Sequence, residues 1–174
     1  MKGAPNNPMA ASPPTPSASP QRILVVDDDP SIRLLCSKTL KQAGYVVLEA
    51  DGSSEAMALY SASTVPIHLL LTDLFLPPPD FQLISSRNQY PRVNGHELVR
   101  QALSLRKELR LLLMSSHPMA NLAAQGIRVE ADRFLQKPFS VAALLDRVTF
   151  ALASAPLPFD ALPSTSTKDV QWVD

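Results

Sequence analysis

The feature that most constrains this chain is a short apolar run that stops on acid and proline, and it occurs twice. Leu69-Leu70-Leu71-Thr72-Asp73-Leu74-Phe75-Leu76-Pro77 is an apolar stretch of strand length that delivers one aspartate and then a proline. Ile23-Leu24-Val25-Val26 repeats the pattern and runs into Asp27-Asp28-Asp29-Pro30. Runs of this length bounded by breakers read as strands buried on both faces. A single Asp at such a place reads most simply as a loop opener. Two acid-terminated strands read differently, because the C-terminal strand ends of an open α/β sheet are where ligands sit. If the two strands are neighbours, up to three carboxylates converge on one mouth. They repel one another unless protons or a divalent cation intervene. The pattern therefore points to a cation site containing a candidate nucleophile.

The rest of the central region alternates strand and helix. The first strand is read at residues 22–27, with Asp29 as helix N-cap and Pro30 at the first helical position. Ile32, Leu35, Cys36, Leu40 and Ala43 give the 3.6-residue stripe of a first helix that Gly44 closes. A second strand is expected over 45–50 and a helix over about 54–61, with Ala56, Met57, Leu59 and Tyr60 inward. The third strand, 67–72, delivers Asp73, and His68 near its far end reads as structural. A third helix starts at Asn94-Gly95, with Leu98, Val99, Ala102 and Leu105 on one face. Strand four is 111–114 and ends in Ser115-Ser116. A short helix marked by Met119, Leu122 and Ala123 follows. Strand five is 133–135, then Lys137-Pro138-Phe139, and Ser140 caps a last helix carrying Leu144, Leu145, Val148 and Leu152. Strict alternation predicts an α/β fold, a five-stranded parallel sheet covered by helices on both faces.

Residues 1–20 are rich in Pro, Ser, Ala and Asn and read as a disordered tail, and residues 154–174 as a C-terminal tail, leaving 21–153 as the folded domain. Trp172 in the last stretch is compatible with a short docking motif or with packing back on the domain. Lys+Arg and Asp+Glu both number 16, so no net field argues for nucleic acid or a membrane surface. No apolar run approaches the roughly 20 residues that span a bilayer, and Lys2 is not followed by the apolar segment of a signal peptide. Cys36 is the single cysteine, which fits a reducing, cytoplasmic setting and a small buried hydrophobe.

Four pieces together resemble the receiver domain of bacterial two-component response regulators. They are the acids after strand one, the Asp after strand three, the hydroxyl residue after strand four and Lys-Pro-Phe after strand five. The resemblance covers about residues 21–153. It implies the flavodoxin-like strand order 2-1-3-4-5. It also implies that Asp73 is the phosphoacceptor, and that Asp27, Asp28, Asp73 and the backbone carbonyl of Phe75 hold Mg²⁺, Asp28 directly and Asp27 through water. Ser115 and Lys137 would engage the phosphoryl group. Phe134 would be the aromatic switch residue, turning inward as Ser115 moves. The implied partners are a histidine kinase or histidine phosphotransfer protein as donor and a downstream protein as target. The domain would be a phosphoacceptor switch and not an enzyme, with no output domain in the residues that follow.

The sequence departs from that pattern in two places. Pro77 and Gly95 are 18 positions apart, so an insertion at about 78–93 is expected to affect access to Asp73 or a partner surface. It carries Phe81, Leu83, Ile84 and Tyr90. Glu130 stands where the family commonly has Gly, which bears on the path into strand five. Two positions that tune phosphoryl lifetime in the family are Phe75 and His117 here, and shielding by Phe75 predicts a long-lived state. Two other readings stay open: a phosphohydrolase of the haloacid-dehalogenase type using Asp27 within Asp27-Asp28-Asp29, and a scaffold whose chemistry is idle.

Overall fold

The computed structural model of the chain describes residues 20–77, 93–124, 127 and 129–156. Both expected tails, except for residue 20 and residues 154–156, and nearly all of the expected insertion, Phe81, Leu83, Ile84 and Tyr90 included, lie outside the described residues. The strands are β1 (Arg22–Val26), β2 (Val46–Ala50), β3 (Leu69–Asp73), β4 (Arg110–Ser115) and β5 (Phe134–Gln136). They form one sheet of order β2-β1-β3-β4-β5 in which every pairing is parallel. The helices are α1 (Pro30–Gln42), α2 (Ser53–Ala62), α3 (Gly95–Leu105), α4 (Met119–Ala124) and α5 (Val141–Ala153). This is the expected doubly wound, flavodoxin-like architecture.

Alternation along each strand divides the interior in two. Ile23, Val25, Leu69, Leu71, Leu112 and Met114 pack with Cys36 and Leu40 of α1 and with Leu144, Val148 and Ala151 of α5. Leu24, Val26, Leu70, Leu111 and Leu113 point the other way, into a core shared with α2, α3 and Leu122 of α4. All five residues of β3 are buried, as befits the central strand of a sheet covered on both sides. Cys36 is fully buried, and desolvation pushes its thiol up to about 12, so it packs as a small hydrophobe.

The helix starts follow local rules. Asp29 accepts from Ser31 N at 2.7 Å, Asn94 from Glu97 N at 2.8 Å and Ser140 from Ala143 N at 3.1 Å, each filling a first-turn donor with a side-chain oxygen. Gly44 ends α1 at φ 91°, a conformation that favours glycine. Several expectations need correction. Leu35 is 38% exposed and Leu105 56% exposed, and the buried positions nearby are Ser37 and Leu103. The inward face of α3 is centred nearer Val99 than Leu98, which turns Leu103 in and Leu105 out. Arg133 is not in β5 but in a 3-10 turn (Ala131–Arg133), where its guanidinium is tied to the Glu130 carboxylate at 3.0 Å and to Ala155 O at 2.7 Å. Glu130 itself has φ −71°, ψ 135°, which any residue adopts, so glycine is not required there.

Candidate functional site

Four adjacent strands deliver the site by register. Asp73 is the last residue of β3 and pairs with Met114, one residue before Ser115, while Ser115 pairs with Gln136, one residue before Lys137. Val26 of β1 pairs with Thr72, so Asp27 leaves the sheet beside Asp73. Asp27, Asp28 and Asp73 each present a carboxylate oxygen within 4.8 Å of the others.

Their surroundings differ. Asp27 is fully buried; its Oδ1 accepts from Asp29 N at 3.0 Å, and its Oδ2 lies 2.6 Å from Lys137 Nζ. That second contact is a short ion pair to a shared ammonium, and the second lone pair of this buried carboxylate oxygen keeps unspent acceptor capacity. Asp28 is exposed. Asp73 is 7% exposed; its Oδ1 accepts from Phe75 N at 2.7 Å and its Oδ2 is paired with Lys137 Nζ. One ammonium thus bridges two acids. Burial raises the Asp27 pKa, and its contact with Lys137 offsets only part of that effect. Burial acts to lower the Lys137 pKa, but the two carboxylates outweigh it and hold the ammonium above its ordinary value. Three acids against one base is a hard, oxygen-only, electron-rich donor set. With the unspent Asp27 oxygen inside it, this set fits a divalent cation such as Mg²⁺.

The other expected residues surround this cluster. Ser115 is fully buried; its Oγ accepts from His117 N at 3.0 Å, and its carbonyl accepts from Lys137 N at 2.8 Å. The Phe75 backbone, whose carbonyl the resemblance nominates as a ligand, is fixed through the N–H given to Asp73. The Phe75 ring is 36% exposed and lies against His117, with centroids 4.6 Å apart. Phe134 is already inside, 6% exposed, in the core that contains Leu113 and Leu122. In this conformation the ring thus occupies the inward position.

Two contributors were not singled out from sequence. Arg33 donates from Nη1 to Asp27 O at 2.6 Å and to Asp28 O at 3.2 Å, gripping the backbone that carries both acids. Its place one turn into the helix opened by Asp29-Pro30 was the available signal. Gly95 lies so close to the end of β3 that a Cβ there would sit 1.9 Å from Asp73 O. In the sequence it marks only the start of the third helix and the far end of the expected insertion. The Lys137–Pro138 peptide is cis.

Fold and pocket define a class: a parallel α/β domain whose central strand ends in an acid-lined, lysine-bridged mouth. The sequence matches the family described as "Response regulator receiver domain" over residues 23–149, and the chain belongs to it. It is 32% identical over 127 residues to the probable transcriptional regulatory protein SilR of Salmonella typhimurium, covering 73% of this chain and 49% of that protein. It is 33% identical over 129 residues to the response regulator MprA of Mycolicibacterium vanbaalenii, covering 74% and 49%. The chain thus spans about half the length of these curated relatives. Among solved structures, the chemotaxis response regulator CheY4 of Vibrio cholerae matches at 27% identity with TM-score 0.58, covering 75% of this chain and 98% of that one. A CheY-like receiver domain protein from Methanospirillum hungatei matches at 25% identity with TM-score 0.61, covering 77% and 94%. Receiver domains of this family are signalling switches, and membership removes the haloacid-dehalogenase reading. Among the described residues no helix is long and apolar enough to cross a membrane.

Proposed function

We propose that this chain is a phosphoryl-accepting switch in which Asp73 takes the phosphoryl group of a histidine kinase or histidine phosphotransfer protein. The observation that carries the reading is the Lys137 ammonium shared between Asp27 and Asp73 at the end of the central strand. A carboxylate oxygen of Asp73 attacks phosphorus in line; the P–O bond forms as the donor's P–N bond breaks, and the imidazole leaves with a proton. Lys137 exchanges its hold on Asp73 for the incoming phosphoryl oxygens, staying charged because the acids raise its pKa. Ser115 releases the His117 N–H and turns its hydroxyl to donate to the phosphoryl group. Asp27, Asp28, Asp73 and the Phe75 carbonyl are the residues that would hold Mg²⁺, which when bound neutralises charge on the transferring group.

The readout follows from the aspartyl phosphate, which replaces the single charge of the carboxylate by a bulkier group carrying roughly −1.5 to −2 in total. With Phe134 already buried, the response is a shift of Ser115 and repacking of α4 around the ring, which a downstream protein reads on the face of α4, β5 and α5. We further propose 21–153 as the switch domain and a cytoplasmic protein contact as its output. All described helices belong to that domain, and basic and acidic residues balance at 16 each. The test is incubation with Mg²⁺ and a small acyl-phosphate donor, followed by intact mass. One hydroxylamine-sensitive phosphoryl adduct is expected, absent in Asp73→Asn. No adduct at any Mg²⁺ concentration sinks this reading in favour of a phosphorylation-independent scaffold.

A further inference from the structure

The edge of the sheet opposite Asp73 carries a different chemistry. A cavity of about 310 Å³ opens there between the segment entering β3 and the segment joining α3 to β4, lined by His68, Arg106, Lys107 and Arg110 among others. That size is at the small end of ligand pockets, which run from roughly 300 Å³ upward. His68 and Arg110 are joined through the backbone, Arg110 N donating to His68 O at 3.1 Å, so the two walls are fixed to each other.

The donors are held in place. Arg106 gives Nη2 to Ser63 O at 3.1 Å, and its guanidinium lies 5.4 Å from the Tyr60 ring centroid. Arg110 gives Nε to Ser154 O at 3.0 Å. Each guanidinium is thereby anchored by one N–H to a backbone carbonyl, and its other N–H groups have no partner among the described residues. His68 Nδ1 accepts from Arg22 N at 2.9 Å, which in the neutral ring leaves the proton on Nε2 as a further donor. Lys107 adds an exposed ammonium, and Glu108 is the single acid lining the cavity. Half-buried, pre-oriented guanidinium groups with unspent donors are the chemistry that recognises oxyanions.

We propose that this cavity binds a small phosphate monoester, a compact dianion whose three terminal oxygens accept from several directions at once. This site is separate from the acid-lined mouth and does not depend on phosphorylation of Asp73. The two lie at opposite ends of β3, five residues or roughly 16 Å apart. A ligand here would touch Arg110 and, through it, the chain leaving α5 at Ser154.

The experiment is an amide NMR titration of the full chain with glycerol phosphate in EDTA, with chloride adjusted to constant ionic strength. It is run on wild type and on Asp73→Asn. Saturable shifts confined to residues 67, 68 and 106–110, equal in both proteins, are expected. Arg106→Gln with Arg110→Gln should weaken binding about tenfold or more. Lys107→Gln leaves both anchored arginines untouched and should weaken it less, which guards against a double variant that merely misfolds. Succinate should bind more weakly than the monoester. Shifts that never saturate, that survive the arginine changes, or that vanish in Asp73→Asn overturn the proposal. Equal binding of succinate overturns the assignment to phosphate.

Discussion

The loops that follow β1 and β3 both set out from one cluster of acids, yet they are built in opposite ways. After β1 the chain turns into α1 within three residues, and every step is tied locally. Asp27 accepts from Asp29, Asp29 caps Ser31, and Arg33 reaches back to the carbonyls of 27 and 28. After β3 the chain buries Leu76 and leaves toward the inserted positions. It returns at Val93, whose N–H is given to the buried Ser53 hydroxyl at 2.6 Å, and at Gly95, whose N–H is given to Leu74 O at 3.2 Å. The first loop holds its acids through contacts near in sequence. The second does so by clamping both ends of an excursion onto the fold. The proposed phosphoacceptor loop can thus accommodate the expected insertion at about 78–93, provided its two roots are fixed.

The sharpest way to break this comparison is at the second root. Gly95→Ala places a methyl 1.9 Å from Asp73 O, against backbone that cannot rotate away. A loss of about 3 kcal/mol or more in urea unfolding is expected, with the phosphoryl adduct lost as well. Stability within about 1 kcal/mol of wild type would show that β3 and α3 have slack. Arg33→Ala attacks the first loop and should cost about 1–3 kcal/mol, since a charged donor to two carbonyls is removed. Arg33→Lys should recover part of it.

Asp27→Asn tests the electrostatics shared by both loops. Burial raises the folded pKa of Asp27 above its unfolded value, so the native state binds this proton more tightly. In metal-free protein the group therefore opposes folding at neutral pH. That opposition fades as pH falls through the raised pKa toward the unfolded value. The stability gap between Asp27→Asn and wild type should narrow on acidification, and a gap that widens would reverse the assignment. Phe75→Asn should shorten the lifetime of the phosphorylated state several-fold and His117→Ala less. Because the rings touch, the double variant should fall short of the product of the two effects. An unchanged decay rate in Phe75→Asn removes the shielding idea. The smallest effect is expected where the comparison predicts insulation. Replacing 78–92 by a short glycine-containing turn, with Val93 and Gly95 kept, should change stability by less than about 1 kcal/mol while altering phosphotransfer. Loss of cooperative unfolding would place Phe81, Leu83 or Ile84 in the core.

What was legible in the sequence was written in local rules. Asp29-Pro30, Asn94 and Ser140 announce helix starts because a cap is satisfied within three residues, and the acid-terminated apolar runs announce strands buried on both faces. The acids are legible as the ends of apolar runs, whereas Ser115, Lys137 and the strand order follow only from the resemblance to receiver domains. The errors arose where the deciding partner is distant. Leu105 fits the stripe, yet the face of α3 is set by what α2 and β3 present. Arg133 reads as strand, but its side chain is claimed by Glu130 and by a carbonyl beyond α5. Phe134 carries no mark of whether its ring starts in or out. Gly95 looks like a turn residue until Asp73 O is placed beside it.

The strand order has a consequence for mechanical compliance. β3 is paired on both sides and wholly buried, whereas β5 is paired on one side and only three residues long. The proposed charge therefore lands on the stiffest strand of the sheet, and deformation is absorbed at its softest margin. Amide hydrogen exchange should express this as a gradient. Leu69–Asp73 should be slow in either state, while phosphorylation changes the rates of Phe134–Gln136 and α4, the elements with least to hold them still.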